Sequence, residues 1–358
     1  MPSLKEIKGR INSISSTLAI TSAMKMVAAA KLQKAQMAIQ NMLPYERRLY
    51  SMLLDLMGAM NISAAASEDG SVRGSGSAER GFDQSGDRLS LSNRHDLAGM
   101  DGAYSLMAQR EVRKVAIVAF ASNSSLCGAF NSNAIREATA VINEYRASGL
   151  RDSDIVVYSV GRKMAEAMRK LGFPSPADFT KMSDSPSYEA ASALAQELLD
   201  GFVSGRFDKV ELVYNHYKST SSQPTTRQTY LPLSLADATA DLQAGKITDS
   251  ASETDTNKVA EPVGAPVVRQ GSPTTEDLIV EPSKEALIAT LLPKVIRLRI
   301  FTTLLDSAAA EHAARTVAMQ LATDNGNDLL QELTLEYNKG RQQKITSEIL
   351  DLVGGSMQ

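Results

Sequence analysis

Apolar residues recur at alternating intervals of three and four positions along the N-terminal part of the chain. The positions with this spacing are Leu4, Ile7, Ile11, Ile14, Leu18, Thr21, Lys25, Ala28, Leu32, Ala35, Ile39 and Met42. A seven-residue repeat of this length predicts one long helix in a left-handed coiled coil. Lys25 is the clear polar exception, and Pro44 is expected to bend or interrupt the helix. A helix of nearly sixty residues would extend about 85 Å, so it needs a partner.

The same spacing returns near the other end of the chain, which supplies a candidate partner. The positions are Leu335, Asn338, Gln342, Ile345, Ile349 and Leu352. From about residue 283 to residue 353, Pro293 is the strong helix breaker. Gly326 and Gly340 should each cost about 1 kcal/mol relative to Ala inside a helix. Two long helices at opposite ends of one chain most simply form an antiparallel pair, with the intervening residues as a separate head.

The middle of the chain changes to a pattern of short apolar runs that alternate with helical segments. The predicted strands are Lys114–Phe120, Asp154–Val160 and Lys209–Asn215, with Gln228–Leu233 as an additional candidate, and the predicted helices are Ala134–Ala147, Arg162–Leu171 and Tyr188–Val203. This alternation indicates βαβ units. The predicted fold class is an α/β head (mainly parallel sheet, Rossmann-like) plus a long antiparallel α-helical coiled coil formed by the N- and C-terminal helices.

Two stretches fit neither pattern. Residues 62–105 are rich in Gly, Ser and charge, and residues 234–276 contain no aromatic residue. Neither can bury enough apolar area to offset the entropy of ordering the chain, so both are interpreted as mobile insertions. The predicted organisation is an N-terminal coiled-coil helix (1–61), a mobile polar insertion and connector (62–110), the α/β head (111–233), a disordered acidic insertion (234–276) and a C-terminal coiled-coil helix (277–358).

Composition and charge narrow the class of protein. The net charge of −3 is unevenly distributed, since residues 1–50 carry +6, residues 311–358 carry −3 and residues 234–276 carry −4. Opposite-sign ends favour contact between the two termini, or between the basic end and an acidic partner. One cysteine excludes a disulfide framework. No apolar run reaches the roughly 18 residues of a membrane span, so the protein is expected to be soluble or peripheral.

A search for catalytic and binding motifs predicts no active site. The sequence has no GxxxxGK[ST] motif, and its three histidines lie too far apart for a local metal motif. Cys127 follows the first predicted strand, where α/β sheets often place ligand sites, and His216 ends another strand. A cysteine-dependent hydrolase is therefore one alternative, although a lone cysteine is more commonly a small buried residue. No catalytic residue, cofactor or metal is predicted.

Five separated segments resemble one family, the gamma subunit or central rotor shaft of F-type ATP synthases. The opening PSLKEIKGRINSISSTLAITSAMKMVAAAKLQKAQ is similar to its N-terminal helix. The ending ATDNGNDLLQELTLEYNKGRQQKITSEILDLVGG is similar to its C-terminal motif, which includes Ile345, Thr346, Glu348, Asp351 and Gly354. SLCGAFNSN, VYNHYKS and EHAAR add further matches. The resemblance covers residues 1–59, 112–232 and 277–355.

The resemblance implies a non-catalytic rotor that couples ion-driven rotation of a membrane ring to conformational cycling of catalytic beta subunits. It implies contacts with the alpha and beta subunits, the epsilon subunit and the membrane c-ring, and no nucleic acid. Since no targeting segment is recognised, the expected location is the cytoplasmic face of the bacterial inner membrane, as a peripheral subunit of a proton-translocating complex. A coiled-coil scaffold with an α/β head remains a second alternative beside the hydrolase.

The resemblance also assigns roles to six residues. Met24 and Lys25 match shaft positions that face an acidic lever of the beta subunit. The residues that match positions near the loops around the upper shaft are Arg341, Gln342, Thr346 and Glu348. Lys25 interrupts the apolar repeat, which favours a contact role for its charge. The family usually has Gly where Ser125 stands, and this difference raises the question of how the local turn is formed.

Overall fold

The computed structural model describes residues 3–59, 106–107, 109–233 and 284–355. Its longest elements are α1 (Leu4–Ala59) and α6 (Lys284–Gly355), which we call the shaft. Both helices continue through an internal proline, Pro44 in α1 and Pro293 in α6, so the chain stays helical where an interruption was considered. The two predicted insertions, 62–105 and 234–276, lie outside the described residues, and the predicted domain boundaries stay predictions.

The shaft helices are antiparallel, and contacts between them fix their register. The Thr323 hydroxyl donates to the Thr21 hydroxyl at 3.1 Å. Toward the N-terminus of α1, Leu18 lies against Gly326 and Leu4 lies against Gly340. Residue numbers in one helix fall as those in the other rise, as an antiparallel pair requires. The side chains buried or half-buried between the helices include every predicted position of α1 from Leu4 to Met42.

The predicted C-terminal repeat is only partly used in the contact with α1. Leu335, Ile345, Ile349 and Leu352 are exposed, with 64%, 47%, 54% and 74% of their surface accessible. Asn338, another predicted position, is half-buried and lies beside a series of buried or half-buried positions of α6, namely Met319, Thr323, Gly326, Leu330, Leu333, Tyr337 and Gly340. This series also alternates by three and four residues, but two of its members are glycines. Of the predicted positions that lie along α1, Leu335 is exposed and Asn338 is half-buried, while Gln342, Ile345, Ile349 and Leu352 lie beyond the start of α1.

The head is built on a sheet of β1 (Val115–Phe120), β2 (Ile155–Val160), β3 (Lys209–Asn215) and β4 (Thr225–Leu231). The strand order is β2-β1-β3-β4. β1 pairs in parallel with β2 and β3, and β4 is antiparallel to β3. The mainly parallel α/β head is confirmed. Its remaining helices are α2 (Phe130–Ala147), α3 (Arg162–Lys170), α4 (Thr180–Asp184) and α5 (Tyr188–Val203), and a 3₁₀ turn spans Asp152–Asp154.

Each face of the sheet has its own apolar core. One core packs Ile117 and Val157 against α2 and α3, through residues such as Val141 and Met164. The other core joins the sheet to α5 and to both shaft helices. Its members include Leu53 of α1, Phe202 of α5, Val210 of β3, and Leu292 and Ile296 of α6. The head and the shaft therefore share one continuous core rather than forming separate units.

Among the described helices, none is both long enough and apolar enough to cross a membrane.

Candidate functional site

The C-terminal end of α6 extends past the start of α1. Because Gly340 lies opposite Leu4, where α1 begins, residues 341–355 continue beyond the two-helix shaft, and we call them the tip. At 1.5 Å per residue the tip is about 20 Å long. All side chains from Arg341 to Leu350 are exposed, including the apolar Ile345, Ile349 and Leu350. No helix of the described residues covers them, which explains the exposure of the predicted repeat.

The four predicted upper-shaft residues all lie in this tip. Arg341 and Gln342 are exposed. The Thr346 hydroxyl donates to the Gln342 carbonyl at 2.9 Å, one turn earlier. Glu348 lies 3.6 Å from Lys344, and both side chains are more than 60% exposed, so this pair is worth little in water. The tip therefore presents mixed polar and apolar groups on a single helix.

The two predicted lever residues lie further down the shaft. Met24 and Lys25 are half-buried, and the neighbouring Met26 and Val27 are 63% and 58% exposed. The Lys25 ammonium donates to the Gln320 side-chain oxygen of α6 at 2.6 Å. From the level of Gln320 to Arg341 the helix rises about 32 Å. The predicted site residues thus form two groups at different heights rather than one cluster.

A polar junction connects the head to the shaft. Glu311 of α6 is 7% exposed, and it accepts from Arg315 at 2.8 Å. Arg315 also donates to the Ser124 hydroxyl in the loop after β1. Burial raises the pKa of Glu311, although the charge of Arg315 opposes this. Burial, together with the positive charges of Arg315 and Lys31, lowers the pKa of His312 to about 4, so this imidazole is neutral at pH 7.

The loop after β1 forms its turn without glycine at position 125. Positive φ values occur at Leu126 (68°) and Gly128 (59°). The Ser122 backbone N–H donates to the Asn131 side chain at 3.0 Å, which closes the loop onto α2. The departure at Ser125 is therefore accommodated, because the left-handed conformation falls on its neighbours.

Cys127 lies inside this loop and is 1% exposed. Its sulfur lies 3.1 Å from the Asn131 amide nitrogen, 3.7 Å from the Ser122 hydroxyl and 3.9 Å from the Ser124 carbonyl. None of these groups is a general base. His216, the proposed base, has its Nδ1 2.6 Å from an Asp306 carboxylate oxygen on α6. Cys127 therefore packs as a small buried residue, and nothing favours the hydrolase alternative.

A buried ion cluster in the sheet was not predicted. Glu211 of β3 is 1% exposed and accepts from Tyr145, Lys209 and Arg227 at 2.6, 2.7 and 2.8 Å. Arg227 also pairs with Glu144. Burial acts to raise the pKa of Glu211, but the hydrogen bonds from Arg227, Lys209 and Tyr145 outweigh it, so the pKa is lowered. The sequence signal for this cluster was the acidic Glu211 within the otherwise mainly apolar strand β3.

Gln320 and Asp324 were also missed. The Gln320 amide nitrogen donates to both carboxylate oxygens of Asp324, at 2.8 and 2.9 Å, while its oxygen accepts from Lys25. The sequence does not give the register between the two helices, so it could not place Gln320 beside Lys25. Among the described residues, no group of His, Cys, Asp and Glu side chains could hold a metal ion.

A two-helix shaft that shares a core with an α/β head, and whose tip is exposed, defines a stalk-type protein.

Comparison with known proteins identifies the stalk. Residues 3–357 match the ATP synthase family. The ATP synthase gamma chains of Phocaeicola vulgatus and Bacteroides thetaiotaomicron are 46% and 44% identical to this chain, and each alignment covers 100% of both proteins. The gamma chain of Flavobacterium johnsoniae is 35% identical over 99% of this chain and 98% of its own length. The chain belongs to the gamma chain family of the F-type ATP synthase, the central-stalk subunit of that complex.

The fold is also similar to a solved structure. A chain of the Euglena gracilis mitochondrial ATP synthase OSCP/F1/c-ring assembly matches with a TM-score of 0.52 at 18% identity, covering 99% of this chain and 93% of that one. At this identity the similarity supports the fold alone. The coiled-coil scaffold alternative is superseded by the family assignment, which accounts for both helices and the head.

Proposed function

We propose that this chain turns as one rigid rotor within its complex and carries no catalytic group of its own. The observation that carries the proposal is the shared core, in which Leu53 of α1, Leu292 of α6 and Val210 of the sheet pack together. Protein cores are close-packed and transmit strain, so torque applied to the head reaches both shaft helices. Bond chemistry then belongs to the surrounding subunits.

The coupling follows from the asymmetry of the shaft. One side of the two-helix shaft differs from the other, so each surrounding catalytic subunit meets a different surface at each angle. A surface that contacts one conformation better than another shifts the population toward it. Rotation driven by proton flow through the membrane ring would therefore cycle each catalytic site through open, loose and tight conformations.

Two groups of residues are proposed to make the contacts in the hexamer. Met24 and Lys25 would face the acidic lever of the beta subunit, where the Lys25 charge has an opposite partner. The tip residues Arg341, Gln342, Thr346 and Glu348 would contact the loops of alpha and beta that surround the upper shaft. The exposure of this tip supports the assignment, since an apolar surface on a single helix favours burial against partners.

The remaining partners are proposed at the other end of the rotor. The head would contact the epsilon subunit and the membrane c-ring, and no nucleic acid is involved. Because the association with the membrane would run through the ring, the chain is a peripheral subunit. The proposed location is the cytoplasmic face of the bacterial inner membrane.

Co-expression with the alpha and beta subunits tests the rotor. The expected product is an ATP-hydrolysing complex that retains one copy of this chain, and Lys25→Met should change its hydrolysis rate. The matched control is Lys170→Met, which removes an exposed lysine of the head at the end of α3. A hydrolysing complex of alpha and beta that never retains this chain would rule out the proposal.

A further inference from the structure

Lys25 reaches across the shaft to a glutamine whose own orientation is fixed. The Lys25 ammonium donates to the Gln320 side-chain oxygen at 2.6 Å. The Gln320 amide nitrogen donates to both carboxylate oxygens of Asp324, at 2.8 and 2.9 Å. Since an amide nitrogen only donates and its oxygen only accepts, these contacts leave one arrangement of the amide. Gln320 therefore points its oxygen at Lys25.

The hydrogen bonds to Asp324 also affect how strongly Gln320 binds Lys25. The carboxylate of Asp324 accepts from the amide, and a chain of hydrogen bonds polarises its members in the same direction. The amide oxygen that faces Lys25 is thus a stronger acceptor than an isolated glutamine would be. Because one N–H of the ammonium is directed at Gln320, this hydrogen bond also fixes where the Lys25 side chain lies.

We propose that Gln320 is a positioning residue that holds Lys25 against the shaft and sets how firmly an acidic partner can hold it. This inference rests on the proposed contact between Lys25 and the beta lever. A carboxylate that approaches Lys25 competes with Gln320 for the ammonium. The Gln320 hydrogen bond therefore weakens the lever contact and lets it break at each step of rotation.

The first experiment measures the hold on Lys25 in the full-length chain. Limiting acetic anhydride acetylates lysine amines, and mass spectrometry gives the rate at Lys25 relative to the exposed Lys34 on the same helix. Because a charge-assisted hydrogen bond protects the ammonium, Gln320→Met should raise the Lys25 rate about threefold. An unchanged Lys25 rate would overturn the inference whatever the lever does.

The second experiment measures ATP hydrolysis by the complex with alpha and beta subunits. Gln320→Met frees Lys25 for the lever, so the contact tightens and the hydrolysis rate should fall about threefold. Gln320→Glu places a carboxylate on Lys25, so its effect should have the direction of Lys25→Met. Both effects should disappear when Lys25 is already methionine. Gln331→Met, an exposed glutamine of the same helix, is the matched control.

The outcomes separate the inference from the proposed function. If Lys25→Met changes the hydrolysis rate and Gln320→Met does not, the lever contact stands and the inference is wrong. If Gln320→Met and Gln320→Glu shift the rate in the same direction, both in the wild type and in Lys25→Met, Gln320 acts only on helix packing and the inference is again wrong. If Lys25→Met changes nothing in an assembled complex, the lever contact itself fails, and the role of Gln320 fails with it.

Discussion

At the scale of single residues, the carboxylate of Glu211 shows how the sheet tolerates a buried charge. It accepts from Tyr145, Lys209 and Arg227, and its pKa is lowered as a result. Removing one partner of a buried pair leaves charge without compensation, which costs more than the pair contributes. Substituting Arg227 therefore measures how much the compensation of the Glu211 charge contributes to folding stability.

Arg227→Met should lower the free energy of unfolding by about 2–3 kcal/mol, because Lys209 and Tyr145 still compensate part of the Glu211 charge. Chemical denaturation followed by circular dichroism measures this. A pKa lowered in the folded chain gives stability that is present at neutral pH and lost as the pH falls through the folded pKa. The Arg227 variant should therefore lose less stability than the wild type on acidification. An equal loss in both chains would contradict this account of Glu211.

His216 has the opposite sign of pH dependence. The hydrogen bond to Asp306 raises its pKa, although burial opposes this. A group whose pKa is raised on folding contributes stability that is complete below its unfolded pKa and disappears as the pH rises through the folded pKa. The His216 side chain is 49% exposed, so solvent screening limits the contribution to less than about 1 kcal/mol.

His216→Gln should therefore lower the melting temperature at pH 5.5 more than at pH 8.5. NMR titration of the His216 ring gives its pKa directly, and we expect a value above the ordinary 6.5. His312, which burial keeps neutral with a pKa of about 4, serves as the internal reference in the same spectra. A His216 pKa at or below 6.5 would show that Asp306 of α6 does not stabilise the charged imidazole.

At the scale of elements, the two shaft glycines are packing features. A Cβ at Gly326 would lie 2.7 Å from the Leu18 side chain, and one at Gly340 would lie 3.1 Å from Leu4. Helix propensity alone makes both glycines unfavourable. Their absent side chains instead provide the holes into which leucines of α1 insert, as in knobs-into-holes packing.

Gly326→Leu should overpack the shaft and lower the free energy of unfolding by about 1–3 kcal/mol. The same substitution at Gly9, where no atom lies within 4 Å of a Cβ, should raise it by up to about 1 kcal/mol through helix propensity. Thermal melts of the two variants compare them directly. Equal stabilisation by both would show that Gly326 does not form a hole for Leu18.

The glycines also show where sequence reasoning reaches its limit. The helix of α1, the strands and the helix Tyr188–Val203 were predicted because their apolar periods are strong. On α6 the predicted repeat included the exposed Leu335 and omitted Gly326 and Gly340, because a hydrophobic pattern cannot recognise a glycine as an interface position. The helix α2 starts at Phe130 rather than at the predicted Ala134, and the earlier start was missed because the polar sequence NSN at 131–133 gives no helical period.

The site residues were predictable to different degrees. Lys25 is anomalous within its own repeat, so one helix alone supports the role that the resemblance implies for it. Gln320 has no such anomaly, because its position becomes meaningful only beside Lys25 in the antiparallel register. The ion cluster of Glu211 likewise joins residues from β3, β4 and α2, whose proximity depends on the whole sheet.

At the scale of the whole molecule, the tip and the two-helix shaft differ in how much they contribute to folding stability. The side chains from Arg341 to Leu350 are exposed, so this part of the tip adds little buried apolar area to the described part of the chain. Deletion of residues 341–358 should leave the melting temperature within about 2 °C of the full-length value. Activity of the assembled complex should fall, since the proposed contacts are lost. A drop of 5 °C or more would show that the tip packs against the rest of the chain.

The antiparallel shaft also has a consequence for how the protein is made. Leu18 emerges from the ribosome long before Gly326, the residue that it packs against. At about 5–20 residues per second, some 15–60 s pass between the two. During this time the apolar face of α1 has no partner helix, so a nascent chain carries an uncovered apolar stripe. The shaft can pair along its length only after Gly326 has been synthesised, so strands β1 to β4 of the head are made while α1 still lacks its partner.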